Sequence, residues 1–285
     1  MAFETLIGVD DLRERLAVPG LCVIDCRFEL QNPGAGREQY LRARIPGARY
    51  ADLNRDLSAA VTEHSGRHPL PAPRDFAATL SALGVGNDSQ VVAYDAQDGS
   101  FAARLWWMLR WVGHEAVAVL DGGLRAWIAG GGALEAGEPT PAAAARFEPR
   151  RIDAEAVMST EQLECALRAD GALLVDARAP ARFAGTVEPI DPVAGHIPGA
   201  LNHPFTANLG DDGRFLPAEA LAARWQERLG DVAGRKAPLV AMCGSGVSAC
   251  HNLLSLEIAG IAGAKLYAGS WSEWIRDPRR PTARG

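Results

Sequence analysis

Four short blocks of this chain occur twice, in the same order and at a nearly constant separation of about 150 residues. Val23-Ile24-Asp25-Cys26-Arg27 returns as Leu174-Val175-Asp176-Ala177-Arg178, and Arg44-Ile45-Pro46-Gly47-Ala48 as His196-Ile197-Pro198-Gly199-Ala200. Gln90-Val91-Val92-Ala93-Tyr94-Asp95 returns as Pro238-Leu239-Val240-Ala241-Met242-Cys243, and the block Leu120 to Trp127 as Tyr267 to Trp274. Chance similarity does not keep four blocks in register. The repeat is half the chain, the size of a whole fold, so the sequence describes a duplicated domain. Gly130-Gly131-Gly132 closes the first copy, and Glu138-Pro139-Thr140-Pro141 opens a stretch without apolar periodicity. These signals place domains at 1–138 and 153–285 with a linker at 139–152.

Within each copy, short apolar runs alternate with helical patterns. Ala172 to Asp176 is apolar without alternation, which suits a strand covered on both faces. Ser159 with Gln162 reads as a capping box for a helix carrying Leu163 and Leu167. Val247, Cys250, Leu254 and Ile258 fall at helical spacing, so a helix begins just after Cys243 and runs to about Gly260. Strands alternating with helices imply an α/β fold, each copy a mostly parallel sheet with helices on both faces.

Bulk properties narrow the function classes. A formal charge of −6 argues against nucleic acid or an anionic membrane as partner, since both favour a basic face. The opening residues lack the pattern of a secretory signal, and no apolar run reaches a membrane span, so the expected compartment is the cytoplasm. The cysteines are Cys22, Cys26, Cys165, Cys243 and Cys250, an odd number at irregular spacing. That is not a disulfide framework, and with no CxxC pair it is not a structural zinc site either. No metal or organic cofactor is expected. Cys22, Cys26, Cys165 and Cys250 read as buried core thiols.

Cys243 differs from them. It follows a strand, and a glycine-bearing loop comes after it, inside which the helix begins. In open α/β sheets ligands bind beyond the carboxyl ends of the strands. Glycines there let successive backbone N–H groups turn toward one anion, and an N–H array at a helix start favours a reactive thiolate. The hydroxyls of Ser245 and Ser248 offer further donors. Such a cradle suits phosphate-ester cleavage or sulfur transfer. A Cys-x5-Arg phosphatase needs a cation at position 249; here it is Ala249, and no Arg or Lys occurs between Cys243 and Gly263, which disfavours phosphatase chemistry.

The most specific motifs are Gly195-His-Ile-Pro-Gly199, Asp121-Gly-Gly-Leu-Arg-Ala-Trp127, Gly269-Ser-Trp-Ser-Glu-Trp274 and Cys243-Gly-Ser-Gly-Val-Ser248. Through them, and over nearly all of both copies from Val23 to Trp274, the chain resembles the tandem-domain sulfurtransferases, rhodanese and 3-mercaptopyruvate sulfurtransferase. The resemblance implies two rhodanese-like domains, of which only the C-terminal one carries the catalytic cysteine; the first copy has Asp95 at that place. The uncharged Gly244-Ser245 resembles the mercaptopyruvate branch, because thiosulfate enzymes usually carry a cation in this loop. Ser248 stands where the family has Thr.

The resemblance further implies that Cys243 and Ser245 are catalytic and that Gly244, Gly246, Val247 and Ser248 surround the donor sulfur. Arg182, in Arg182-Phe183, matches an Arg that holds the donor. A second donor-binding Arg has no counterpart, the stretch being Glu188-Pro-Ile-Asp191-Pro-Val. A His of the family's proton relay corresponds to His68, in a loop of the first copy, and its Asp aligns with Asn54. The implied reaction moves sulfur from 3-mercaptopyruvate through a Cys243 persulfide to an acceptor, either a thiol such as reduced thioredoxin or cyanide. His196, Asp25, Asp176 and the closing tryptophans read as structural, and Trp106 and Trp107 as packing in the first domain. The competing readings are a thiosulfate:cyanide sulfurtransferase, a non-catalytic rhodanese-like binding module, and a cysteine hydrolase. The last lacks an evident general base, since His251 lies on the helix after Cys243 and points elsewhere.

Overall fold

A computed structural model of the chain describes residues 2–142, 144–169, 171–230 and 237–285. The chain divides into two compact units: Met1–Ala59, Leu70–Asp153 and Asp211–Arg214 form the first, and Ala60–Pro69, Ala154–Gly210 and Phe215–Gly285 the second. The segment that carries His68 therefore packs within the second unit, although it belongs to the first repeat in sequence.

The first unit has strands β1 (Leu6–Ile7), β2 (Leu21–Asp25), β3 (Arg49–Tyr50), β4 (Gln90–Tyr94) and β5 (Val117–Leu120), with helices α1 (Val9–Arg15), α2 (Ala35–Arg42), α3 (Pro73–Ala82), α4 (Ala102–Trp111) and α5 (Gly123–Ala129). The second has β6 (Leu173–Asp176), β7 (Leu201–Asn202), β8 (Leu239–Met242) and β9 (Lys265–Leu266), with α6 (Thr160–Arg168), α7 (Pro180–Phe183), α8 (Ala218–Leu229), α9 (Ser248–Ile258) and α10 (Ser270–Trp274). The sheet orders are β1-β5-β4-β2-β3 and β7-β6-β8-β9, and every pairing is parallel. Strands β2 to β5 thus repeat as β6 to β9. Even the place of β1 is echoed, by a single parallel bridge between Val157 and Leu266. Each unit is the expected α/β fold, a parallel sheet flanked by helices.

Local signals explain the elements. All of β8 is buried, as a central strand covered on both faces must be. Ser159 Oγ accepts the Gln162 N–H while the Gln162 side chain accepts the Ser159 N–H, so the capping box starts α6 as its sequence indicates. Cys165 on that helix is exposed, contrary to the core position expected for it. Leu163 and Leu167 turn toward the core, and a residue midway between them faces the other side of a 3.6-residue turn. Cys26 and Cys250 are buried, while Cys22 is half-buried.

The duplicated Asp-x-Arg is a buried ion pair in both units. Arg27 Nη2 donates to Asp25 at 2.6 Å and to the Ala43 carbonyl at 2.6 Å. Arg178 Nη2 donates to Asp176 at 2.7 Å and to the Gly195 carbonyl at 2.8 Å. Each pair clamps the strand end to the loop before the Ile-Pro-Gly motif. Asp176 is 0% and Arg178 1% exposed, so removing one partner strands a desolvated charge. Asp176→Ala is expected to cost the second unit about 3–5 kcal/mol, read as a lower urea midpoint.

Candidate active site

Parallel register brings the second unit's functional loops to one edge of its sheet. Asp176 on β6 lies opposite Met242 on β8, so both strands end together, and the Ala177 N–H donates to the Met242 carbonyl at 2.8 Å. The chain leaving β8 enters the cysteine loop, and the chain leaving β6 leads through α7 to Arg182. The chain leaving β9 also returns here: Trp271 N–H donates to the Cys243 carbonyl at 3.0 Å and Ser272 N–H to the Gly244 carbonyl at 2.9 Å. The loop is therefore held from both sides before any ligand arrives.

Cys243 is 2% exposed. Its sulfur accepts the N–H groups of Ser245 at 3.4 Å and Gly246 at 3.1 Å. These donors stabilise negative charge on sulfur, whether on a thiolate or on a persulfide. Gly246 adopts φ +77°, and a Cβ there would sit 2.5 Å from the Ala268 carbonyl oxygen, so the turn that aims its N–H at sulfur requires glycine. Ser270, which no sequence motif marks as part of the site, also supports the loop. Its Oγ accepts the Cys243 N–H at 3.0 Å and donates to the Tyr267 carbonyl at 2.9 Å, from a backbone at φ 53°.

The other expected site residues divide. Ser245 Oγ is hydrogen-bonded to His68 Nδ1 at 2.7 Å, and both side chains are buried. Val247 is the buried residue preceding α9 and half-buried Ser248 is the helix's first residue; among the described residues no hydroxyl of Ser248 reaches the sulfur. Asn54 lies in the first unit, exposed in a turn where its N–H donates to Asp52 Oδ1 at 2.9 Å. His196 stacks on Phe183 with ring centroids 3.8 Å apart and bonds the Phe183 carbonyl, as a structural residue should. His251 is fully buried against Phe215 and Phe205, away from the loop. The closing tryptophans are core: Trp271 and Trp274 are buried with their indole N–H groups on backbone carbonyls. Trp106 and Trp107 are buried on α4.

Arg182 sits in a cluster of charge that sequence spacing does not reveal. Its Nε and Nη2 donate to Glu188 at 2.8–3.1 Å, and Nη2 also reaches Asp191 at 3.0 Å. Arg67, one residue before His68, donates from Nη1 to the other oxygen of Asp191. A Cβ on Gly244 would lie 2.9 Å from Arg67 Nη2 and 3.5 Å from both Nη atoms of Arg182. The cations missing from the cysteine loop are thus supplied from elsewhere in the chain. Burial pushes the Glu188 carboxyl upward, but the Arg182 guanidinium and two backbone N–H groups outweigh it and hold the group below its ordinary value. Burial raises Asp191, against the opposing pull of Arg67 and Arg182.

The first unit shows what the same loop does without a cysteine. Asp95 takes the place of Cys243, and its carboxylate accepts N–H bonds from Gln97, Gly99, Phe101 and Ala102 at 2.9–3.2 Å. The side chain itself fills the anion cradle. Burial and the neighbouring Asp98 raise its pKa to about 6 despite these donors. Among the described residues no group of His, Cys, Asp and Glu is arranged to hold a metal ion, and no helix is long and apolar enough to cross a membrane.

The rhodanese-like domain family matches residues 8–130 and again 159–277. A Pseudomonas aeruginosa protein named "Probable 3-mercaptopyruvate sulfurtransferase" is 52% identical over 100% of both chains. The thiosulfate sulfurtransferase of Bos taurus is 36% identical over 90% of this chain and 86% of its own. The crystal structure of SseA from Escherichia coli, one of the 3-mercaptopyruvate sulfotransferases, superposes with a TM-score of 0.81 at 34% identity, covering 94% of this chain and 99% of that one. With a match in each half and the same four parallel strands in each unit, the chain belongs to the rhodanese family as a two-domain member.

Proposed function

We propose that this protein transfers sulfur from 3-mercaptopyruvate, through a persulfide on Cys243, to a thiol such as reduced thioredoxin or to cyanide. The observation that carries the reading is the sulfur of Cys243 under two backbone N–H donors, with Arg182 beside Gly244. In the first step the Cys243 thiolate attacks the donor's sulfur and the S–S bond forms. The donor's C–S bond breaks, and its electron pair passes to carbon as the enolate of pyruvate. Ser245, hydrogen-bonded to His68, donates to the donor's carbonyl oxygen as enolate charge develops, and a proton then completes pyruvate. Gly244, Gly246, Val247 and Ser248 form the wall around the sulfur, and the N–H groups of Ser245 and Gly246 hold the persulfide anion. In the second step the acceptor attacks the outer sulfur and Cys243 leaves as thiolate. Relatives named as mercaptopyruvate enzymes support the donor.

Thiosulfate is the second reading, favoured by one observation: Arg67 and Arg182 both stand at Gly244, where a dianionic donor would meet two cations. Comparing kcat/KM for the two donors with cyanide as acceptor separates these readings, and mercaptopyruvate is expected to be the better substrate. Intact mass spectrometry of donor-treated protein should show a gain of one sulfur atom, lost on adding cyanide or dithiothreitol. A protein that gains no sulfur from either donor is not this enzyme.

A further inference from the structure

We propose that the second unit carries a binding site for a phosphate group, in a cleft of about 570 Å³ between the start of α7, the chain that follows β7 and the outer face of α8. Its residues are distinct from those of the cysteine loop, so the inference stands whether or not the sulfur-transfer reading does.

One wall is fastened to the sheet. Pro180 opens α7, and Asn202, His203, Pro204 and Ala207 come from the end of β7 and the turn after it. The His203 N–H donates to the Asp176 carbonyl at 3.0 Å, and Asn202 Nδ2 donates to the carbonyls of Asp176 and Arg178 at 3.0 and 2.9 Å. The wall is thus tied to the end of β6, an inner strand. The other wall is α8, where Arg224, Glu227 and Arg228 stand at i, i+3 and i+4 and so share one helix face.

A buried network assigns the polar atoms. Asn252 Nδ2 donates to the His203 carbonyl at 2.9 Å, which leaves Asn252 Oδ1 to accept from Asn208 Nδ2 at 2.8 Å. Asn208 Oδ1 is then an acceptor, so His203 Nε2, 2.9 Å away, carries the proton. The His203 ring is 4% exposed and stacks on Trp225 with centroids 3.9 Å apart. Burial holds its pKa below the ordinary value. The Asn208 bond opposes this, while the Arg228 and Arg224 guanidiniums add to it, so both charges act on the ring. The neutral ring therefore offers the cleft a lone pair on Nδ1, which makes no hydrogen bond among the described residues.

Two guanidiniums and one lone pair define the ligand. Among the described residues Arg228 has no ion pair or hydrogen bond, and Arg224 spends only Nη1, on the Ala207 carbonyl. The arginines suit charged oxygens, and Nδ1 needs a proton donor close to them. A singly protonated phosphate carries both on one tetrahedral centre, and its second pKa of about 6 keeps that form populated near neutral pH. A carboxylate or a sulfate brings no such proton. The Glu227 carboxylate between the arginines opposes a second negative charge and so favours the protonated form. Asn202 Oδ1 and the apolar faces of Pro180 and Pro204 line the remaining volume, which has room for a small organic group on the phosphate.

The test titrates inorganic phosphate, ribose 5-phosphate and inorganic sulfate into the full chain by calorimetry. Both phosphates should saturate, and sulfate should bind about 5-fold more weakly, the worth of one hydrogen bond. Arg228→Ala should weaken both phosphates by about 10-fold, as loss of hydrogen bonds to a charged group does, with the urea midpoint and sulfur transfer of the parent. Glu227→Gln should tighten them. Arg182→Ala, which removes a cation at Gly244, should leave phosphate binding unchanged. Tighter binding of ribose 5-phosphate than of inorganic phosphate makes an organic monoester the occupant; equal affinities make it the free ion, and both keep the site. No saturation by either phosphate at millimolar concentration overturns the inference, as does equal affinity for sulfate or an affinity that Arg228→Ala leaves unchanged. If Arg182→Ala abolishes binding instead, the anion lies at the cysteine loop and the inference falls.

Discussion

Replacing Cys243 with serine is expected to lower sulfur transfer by on the order of 10⁴–10⁶-fold, the cost of deleting a covalent nucleophile. Sulfur can accept sulfur and release it again as a good leaving group; a serine hydroxyl is scarcely ionised near neutral pH and forms no persulfide. The fold should not notice the change. The smaller Oγ still fits a site that is 2% exposed and still accepts from the N–H groups of Ser245 and Gly246. The variant should therefore melt within a few degrees of the parent while cyanide-dependent thiocyanate formation disappears. Mass spectrometry should find no sulfur added at the neighbouring thiol, Cys250, which is fully buried with its S–H on the Gly246 carbonyl at 3.3 Å. Turnover by Cys243→Ser near the parent rate would remove the cysteine from the reaction.

Gly246→Ala is expected to lower kcat by about 10²–10³-fold, as loss of one donor from a charge-stabilising cradle does. At φ +77° an alanine costs about 1 kcal/mol or more in backbone strain. Its Cβ would also press to 2.5 Å from the Ala268 carbonyl oxygen, a backbone atom that cannot swing aside. The loop must shift, and the N–H that lies 3.1 Å from the Cys243 sulfur shifts with it. Gly244→Ala is the informative contrast. There the new Cβ would meet Arg67 Nη2 at 2.9 Å, the far end of a flexible side chain, and the backbone carries no positive φ. Its effect should fall on KM for the donor, with kcat and the urea midpoint nearly those of the parent. Equal kcat losses in the two variants would mean that the N–H geometry at Gly246 is not what matters.

Much of this architecture is legible in the order of the residues. Three of the four repeated blocks lie at strand ends and the turns that follow them, Asp25 and Asp176 closing β2 and β6 and Asp95 and Cys243 following β4 and β8, while the Ile-Pro-Gly block leads into β3 and β7. The capping box at Ser159, the buried run of β8 and the helix after Cys243 are encoded by neighbours a few residues apart, where periodicity and local hydrogen bonding carry the signal. The exposure of Cys165 is not legible in this way, because burial on a helix depends on a choice of face, and Leu163 and Leu167 make that choice. The partners of Arg182 are hidden for another reason. Glu188 and Asp191 stand out in sequence as an interruption, but their charge balance needs Arg178 and Arg67 as well, and Arg67 lies 124 residues away from Asp191.

The sequence by itself determined the duplication, the parallel α/β class and the cysteine-bearing loop that is the candidate anion cradle. Each of these follows from patterns of about 4 to 15 residues, short enough for local physics to govern. Only the tertiary structure decided which charges surround that loop. Along the chain, Cys243 to Gly263 contains no cation. In three dimensions two arginines meet at Gly244, and His68 joins Ser245 across 177 residues of chain. Hydrogen bonds and ion pairs act over a few ångströms of space whatever the separation in sequence, so the chemistry of the site was set by which segments pack together, and no local pattern records that.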